Sequence, residues 1–238
     1  MRKPLSAYKA VFFDAGDTLL TIPDAQAVLT DFLAKRRIAV TEEDVRNSLR
    51  EALDRFYVRK ERDPEAKSSP DAERRFWTEL YRFVLQRLGL ERHVTADEIH
   101  AWCHELYDVY LDPALYALFD DVKPTLERLK AEGFRIGIVS NFASALRDIL
   151  RDKGILHYFD PLIISAEVGV EKPNPAIFRL GLERAGLAAH EVLYVGDHET
   201  NDVWAPGRVG IASVRIKRYP YQEGEGITSL AELFASAG

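Results

Sequence analysis

One cysteine, Cys103, occurs in 238 residues, so the chain closes no disulfide on itself and builds no thiolate metal cluster from its own side chains. That scarcity suits a reducing compartment, and a cytoplasmic location is expected. Long hydrophobic runs are missing as well. The first apolar run, Ala10 to Phe13, stops at Asp14, too short for a membrane span or for a signal core behind the basic start Met1-Arg2-Lys3. Positive charge is in deficit: 32 Lys and Arg against 38 Asp and Glu give a formal charge of −6. This disfavours nonspecific attraction to nucleic acid or anionic lipid and confines any phosphate site to a local pocket. Internal repeats and low-complexity tracts are absent.

What is present is an ordinary globular composition, 47% hydrophobic, ample for a buried core. Ala10 to Phe13 reads as a buried strand that delivers a carboxylate, Asp14, to its C-terminal tip, where open α/β sheets hold ligands. From Asp24 to about Leu118 only helical patterns follow. Val28, Leu29, Phe32 and Leu33 form one stripe; Val45, Leu49, Leu53 and Phe56 form a second behind Thr41, an N-cap with Asp44 three residues on. Phe76, Leu80, Phe83, Val84 and Leu88 form a third. Thr95 and Glu98 make a capping box ahead of Ile99, Trp102, Cys103, Leu106 and Tyr110. The proline-bearing stretch Arg62 to Pro70 marks a mobile loop near a substrate entrance.

Beyond Leu118 the pattern alternates: helix Val122–Lys130, strand Phe134–Ser140, helix Ala143–Lys153, strand Leu162–Ser165, helix Pro175–Ala185, strand Val192–Gly196, a helical turn near Val203, strand Ile211–Ile216 and a closing helix Ser229–Ala235. A strand before the helical block and four after it predict a discontinuous α/β core. Residues 1–21 and 119–238 would form a Rossmann-like parallel sheet, with 22–118 an inserted four-helix domain.

Polar residues recur in order at the strand tips: Asp14 and Thr18; Ser140-Asn141; Glu171-Lys172-Pro173-Asn174-Pro175; and Asp197-His198-Glu199-Thr200-Asn201-Asp202. In this ordered set the chain resembles the haloacid dehalogenase superfamily across nearly its full length. The resemblance implies phosphoryl transfer on a small phosphorylated substrate, in which positioning and cation electrostatics supply most of the catalysis. Asp14 would be the nucleophile forming an aspartyl-phosphate, and Lys172 the fixed positive charge bridging phosphate and Asp14. Ser140, Asn141 and Thr18 would contact phosphate oxygens. Asp14, the Gly16 carbonyl and Asp197 would hold Mg²⁺, with Asp202 supporting its ligands. The helical insertion would act as a cap that excludes water and selects the substrate. A monomer or a homodimer is expected.

One position departs from the family pattern. Its phosphatases carry a second Asp two residues after the nucleophile, as acid and base; this chain has Gly16 there, with Asp17 one residue further on. Three explanations stand. Asp17 swings in as acid/base, or the substrate has a good leaving group or its own acid, or the protein binds phosphorylated ligands with little turnover. Phosphonatase- or dehalogenase-type hydrolysis is a further alternative, although retention of Asp197 and Asp202 favours a metal-dependent, phosphate-type substrate.

Elsewhere the plainer readings prevail. His100 and His104 lie four apart on a predicted helix without a third ligand and read as a solvated face. Trp77 and Trp102 read as packing. His198 is a support to the metal ligands, a contact to the leaving group, or an exposed turn residue. Arg215 to Tyr221, with Lys217, Arg218, Tyr219 and Tyr221, reads as a solvated loop rather than a nucleic-acid contact.

Overall fold

The computed structural model describes residues 3–60 and 67–235. Its strands are β1 (Ala10–Phe13), β2 (Leu20–Thr21), β3 (Ala117–Leu118), β4 (Arg135–Ser140), β5 (Leu162–Ile164), β6 (Val192–Gly196) and β7 (Ala212–Arg215). Its main helices are α1 (Ala25–Ala34), α2 (Glu42–Lys60), α3 (Pro70–Arg87), α4 (Ala96–Tyr110), α5 (Val122–Ala131), α6 (Leu146–Asp152), α7 (Ser165–Val168) and α8 (Pro175–Ala185). No helix among the described residues is long and apolar enough to cross a membrane.

β1 is apolar at every position because a central parallel strand is covered on both faces. All four of its residues are fully buried. It lies in the middle of a five-stranded sheet of order β5-β4-β1-β6-β7, parallel throughout. Alternation along the strand divides the core in two. Val11 and Phe13 pack with Leu126, Leu129, Ile149 and Leu150, so α5 and α6 cover one face. Ala10 and Phe12 pack with Ile177 and Phe178 of α8 on the other.

Phe13 is level with Ile138 of β4 and with Val195 of β6. The residues just beyond, Asp14, Ser140 and Asp197, therefore emerge together at the C-terminal edge. The chain visits β4 and β5 on one side of β1 and returns to β6 on the other, which places the switch point of the sheet between β1 and β6.

The chain divides into two compact units, one holding the described residues through Thr21, 67–69 and Tyr116 onward, the other Ile22 to Lys60 and Pro70–Leu115. The antiparallel pair β2–β3, Leu20 with Leu118 and Thr21 with Ala117, was not foreseen. It draws residues 116–118 into the sheet-bearing unit, three residues ahead of the boundary expected at 118/119.

The second unit contains α1–α4 around Leu29, Phe32, Leu33, Val45, Leu80, Val84, Ile99, Cys103 and Leu106. Thr41 and Asp44 bond reciprocally at the head of α2, and Thr95 and Glu98 close the capping box of α4. Asp24, unremarked in the sequence, caps α1 through the Ala27 N–H. Leu53 is exposed, whereas Ala52 is buried: the buried stripe of α2 passes through Val45, Ser48 and Ala52. Trp77 stacks on Tyr81, and Trp102 meets Phe32 edge-on, so both pack. Burial pushes the Cys103 thiol up to about 11, as befits an inert structural cysteine.

Other differences lie at element ends. α6 begins at Leu146 rather than Ala143, and the closing segment is a 3₁₀ helix, Leu230–Phe234, capped by Ser229. Residues 61–66 of the predicted loop lie outside the described residues. Its end is placed: Lys67 bridges Val170, and the Ser68 N–H donates to the Gly169 carbonyl at 3.2 Å.

Arg218 corrects the reading of its loop as solvated. Its side chain is buried, and its Nη1 and Nη2 donate to the two carboxylate oxygens of Asp121 at 2.8 and 2.9 Å. Nε and Nη2 also reach the Thr18 carbonyl. Asp121 additionally accepts from Ser229 Oγ and the Leu230 N–H. One ion pair thus ties the start of α5 to the turn after Asp14 and to the C-terminal 3₁₀ helix. Burial raises the Asp121 pKa, but the bonds from Arg218 and Leu230 outweigh it and hold the carboxyl below its ordinary value of 3.8.

Asp121→Asn is expected to cost about 2 kcal/mol, the scale of hydrogen bonds to a charged group, and to lower Tm by about 4–8 °C at neutral pH. A depressed folded-state pKa contributes stability above the unfolded value that is lost as pH falls through the folded one. The Tm difference between parent and variant should therefore shrink below about pH 4; a difference independent of pH would refute the assignment.

Candidate active site

Asp14 is the first residue past β1. Its N–H donates to the Val195 carbonyl at 2.9 Å, which continues the ladder by one step and fixes a buried carboxyl at the strand tip. Ser140, the last residue of β4, is buried, and its hydroxyl acts to lower the pKa of that carboxyl.

Lys172 arrives from the loop between α7 and α8 and is 4% exposed. Its Nζ donates to Asp14 Oδ1 at 2.7 Å and to Asp202 Oδ1 at 2.7 Å, and lies 3.1 Å from the Tyr194 hydroxyl. Each of the three ammonium protons has an oxygen in reach. Asn141 clamps the same residue by its backbone: Oδ1 accepts from the Lys172 N–H at 2.7 Å, and Nδ2 donates to the Lys172 carbonyl at 2.8 Å. Neither Ser140 nor Asn141 caps α6, which has no side-chain cap.

Asp202 comes from a π-helical turn, Glu199–Trp204, that follows β6. Both its oxygens are engaged, Oδ1 by Lys172 and Oδ2 by the His198 N–H at 2.9 Å. The His198 ring accepts from the Asn201 N–H at 3.2 Å and so caps this turn. Asp202 lies so close to β6 that a Cβ on Gly196 would sit 2.4 Å from its Cγ; only glycine permits the approach. Asp197, next along, accepts from Gln222 Nε2 at 3.2 Å on Oδ2 and from Arg215 Nε at 2.9 Å on its carbonyl.

Tyr194 and Gln222 escaped the sequence reading. A tyrosine in an otherwise aliphatic strand was the available signal, because a buried hydroxyl needs a partner. Here it donates to the Val139 carbonyl at 2.7 Å. Gln222 gave no signal; its loop joins the site only in three dimensions.

Asp17 sits at φ +50°, and its Oδ1 accepts from the Tyr219 hydroxyl at 2.6 Å and from Thr21 Oγ1 at 3.1 Å. Gly16 is a different kind of glycine from Gly196. Its φ lies outside the left-handed region, and an added Cβ would find nothing nearer than Phe142 Cε2 at 4.0 Å. Thr18 is fully buried, and its Oγ1 has no hydrogen-bond partner among the described residues.

Burial dominates the electrostatics. It raises the pKa of Asp14, with Lys172 opposing and Asp202 adding to the rise. Asp197 is pushed up to about 9, first by burial, then by Asp202 and Asp14. Burial disfavours the Lys172 ammonium, but Asp14 and Asp202 outweigh it and hold its pKa above the ordinary lysine range. One ammonium thus faces three carboxyls. Asp14, Asp197 and Asp202 each offer an oxygen, all within 4.8 Å of one another. Crowded oxygen donors with excess negative charge are a donor set that fits a hard cation such as Mg²⁺, and such an ion would relieve the repulsion that raises Asp197.

His100 and His104 do share a helix face, with ring centroids 4.8 Å apart. Arg82 Nη2 lies 3.0 Å from His100 Nδ1, which puts a cation where a metal would have to come.

Comparison with known proteins identifies the family. Glyceraldehyde 3-phosphate phosphatase of Methanopyrus kandleri is 38% identical over 148 residues, 61% of this chain and 61% of that protein. The chain thus matches less than two thirds of the length of this curated relative. Among solved structures, a HAD phosphatase from Thermococcus onnurineus is 27% identical with a TM-score of 0.58, covering 94% of this chain and 95% of that one. The HAD-hydrolase YfnB from Bacillus subtilis, bound to magnesium, shares the fold with a TM-score of 0.74 at 23% identity, covering 95% of this chain and 97% of that one. A family profile described as hydrolase, haloacid dehalogenase-like, matches residues 8–210, and the chain belongs to that family.

Proposed function

We propose that the chain is a Mg²⁺-dependent phosphohydrolase of small phosphorylated metabolites, acting through an aspartyl-phosphate on Asp14. The observation that carries this reading is the buried Lys172 ammonium, 2.7 Å from both Asp14 and Asp202. It fixes a carboxylate nucleophile and a phosphate-binding cation together at the switch point of the sheet. The names of relatives, glyceraldehyde 3-phosphate phosphatase and phosphoglycolate phosphatase, support a small phosphorylated substrate. The role of cap for the helical unit and a cytoplasmic site of action belong to the same proposal.

An Asp14 oxygen attacks phosphorus, and the bond to the leaving oxygen breaks with its electron pair on that oxygen. Water then attacks the acyl phosphate, releasing inorganic phosphate and restoring Asp14. Lys172 neutralises phosphate charge, Ser140 and Thr18 offer hydroxyls to its oxygens, and Asn141 holds Lys172 in place. Mg²⁺, held by Asp14, Asp197 and the Gly16 carbonyl with Asp202 in support, would supply the positive charge that lets one anion approach another. The leaving oxygen needs a proton, and Gly16 offers none. Because Tyr219 and Thr21 hold Asp17, the arrangement favours a good leaving group, or a substrate that carries its own acid, over an Asp17 that swings in. The same gap favours, as a second reading, a phosphate-ligand binding protein with weak turnover.

Phosphate release from sugar phosphates, acyl phosphates, nucleotides and nitrophenyl phosphate separates the two. Release should require Mg²⁺, vanish with chelator and fall by about 10⁴-fold or more in Asp14→Asn, the scale of losing a nucleophile. Silence across the panel with retained phosphate-ester binding would establish the second reading instead.

Space and backbone at Gly16 accommodate a side chain. Gly16→Asp should therefore raise turnover of poor leaving groups by about 10²-fold, the lower range for a positioned acid/base, and that of nitrophenyl phosphate by less. Equal gains, or none, would refute the missing-acid explanation.

A further inference from the structure

The loop that follows β7 holds one side chain whose orientation is fixed at both ends. Gln222 Oε1 accepts from the N–H groups of Arg218 at 2.7 Å and of Tyr219 at 3.0 Å. Two backbone donors converging on one atom identify it as the oxygen. The amide nitrogen must then face Asp197, whose Oδ2 accepts from it at 3.2 Å. Other bonds anchor the loop on either side: Arg215 Nη1 to the Glu223 carbonyl and Lys217 Nζ to the Gly224 carbonyl, each at 2.9 Å. Gln222 is therefore a fixed donor, held against one oxygen of Asp197.

We infer that Gln222 is a positioning residue for the divalent cation. By binding Oδ2 it sets the rotation of the Asp197 carboxylate and leaves the other oxygen to the ion. A neutral amide suits the task. An ammonium or guanidinium there would compete with the metal, and a carboxylate would add repulsion where Asp14, Asp197 and Asp202 already crowd together. Groups that orient metal ligands in this way typically contribute about 10–100-fold in metal affinity. The inference rests on the Mg²⁺-dependent reading.

Calorimetric titration of the purified protein with MgCl₂ tests it without reference to turnover. Gln222→Ala and Gln222→Met should each raise the Mg²⁺ Kd about 10–100-fold, with metal-free circular dichroism unchanged; the Met variant keeps the chain length should the Ala variant fold poorly. Tyr221→Ala, which removes an exposed ring stacked on Tyr219 in the same loop, should bind Mg²⁺ as the parent does. Parent-like affinity in the Gln222 variants overturns the inference alone, as does an equal loss in Tyr221→Ala, which would signify general disturbance of the loop. A parent that takes up no Mg²⁺ brings down the metal-dependent reading as well.

Discussion

The Lys172 ammonium between Asp14 and Asp202 is the interaction on which the sheet edge is organised. Each ion in it is buried, and burial on its own opposes charge on all three. What makes the arrangement tenable is that the ammonium meets two carboxylates at 2.7 Å and a phenol at 3.1 Å, so none of its protons is left without an acceptor. Removing Lys172 would leave two buried carboxyls without the ammonium that answers them. The excess of carboxyl over ammonium has a complementary consequence: the site stays short of positive charge, which is the condition for attracting a cation.

Several local features follow from that need. Asn141 holds the Lys172 backbone at both its N–H and its carbonyl, because a long side chain can deliver its charge reliably only from a fixed root. Tyr194 ties the cluster to the Val139 carbonyl. Gly196 lacks a side chain because Asp202 occupies that space. The parallel strand order brings together residues 158 and 30 positions apart in the chain, and a sheet switch point is where such convergence is available without distortion.

The sequence disclosed the elements whose information is local. β1 was legible because four consecutive apolar residues end in an acid, and α4 because Thr95 and Glu98 announce its start. Lys172, Asp197 and Asp202 were legible only as members of an ordered set, and their meeting follows from the strand order rather than from any single motif. The remainder depended on partners distant in sequence. Arg218 looked like a solvated cation because nothing nearby hints at Asp121, 97 residues away. The β2–β3 pair is two residues on each side, too short for a periodicity. Leu53 was placed on the wrong face of α2 because a stripe of large residues outweighed Ser48 and Ala52, whose small side chains suit close packing.

The loop after β7 changes how the Gly16 departure should be understood. Through Arg218 it holds the Thr18 carbonyl, through Tyr219 the Asp17 carboxylate, and through Gln222 the Asp197 carboxylate. The two residues that follow Gly16, and the carboxylate across the switch point, are therefore fixed by one short segment. Crowding does not explain the glycine, since a Cβ there has room, and neither does its backbone conformation. The neighbouring Asp17 adopts the left-handed conformation that a non-glycine residue takes only when its surroundings impose it, and Tyr219 and Thr21 supply that constraint. An acid has thus been kept next to the expected position but turned onto the protein, in a segment whose other contacts reach the same site. The specialisation of this chain consequently lies as much in residues 218–222 as in the strand-tip residues that mark its family.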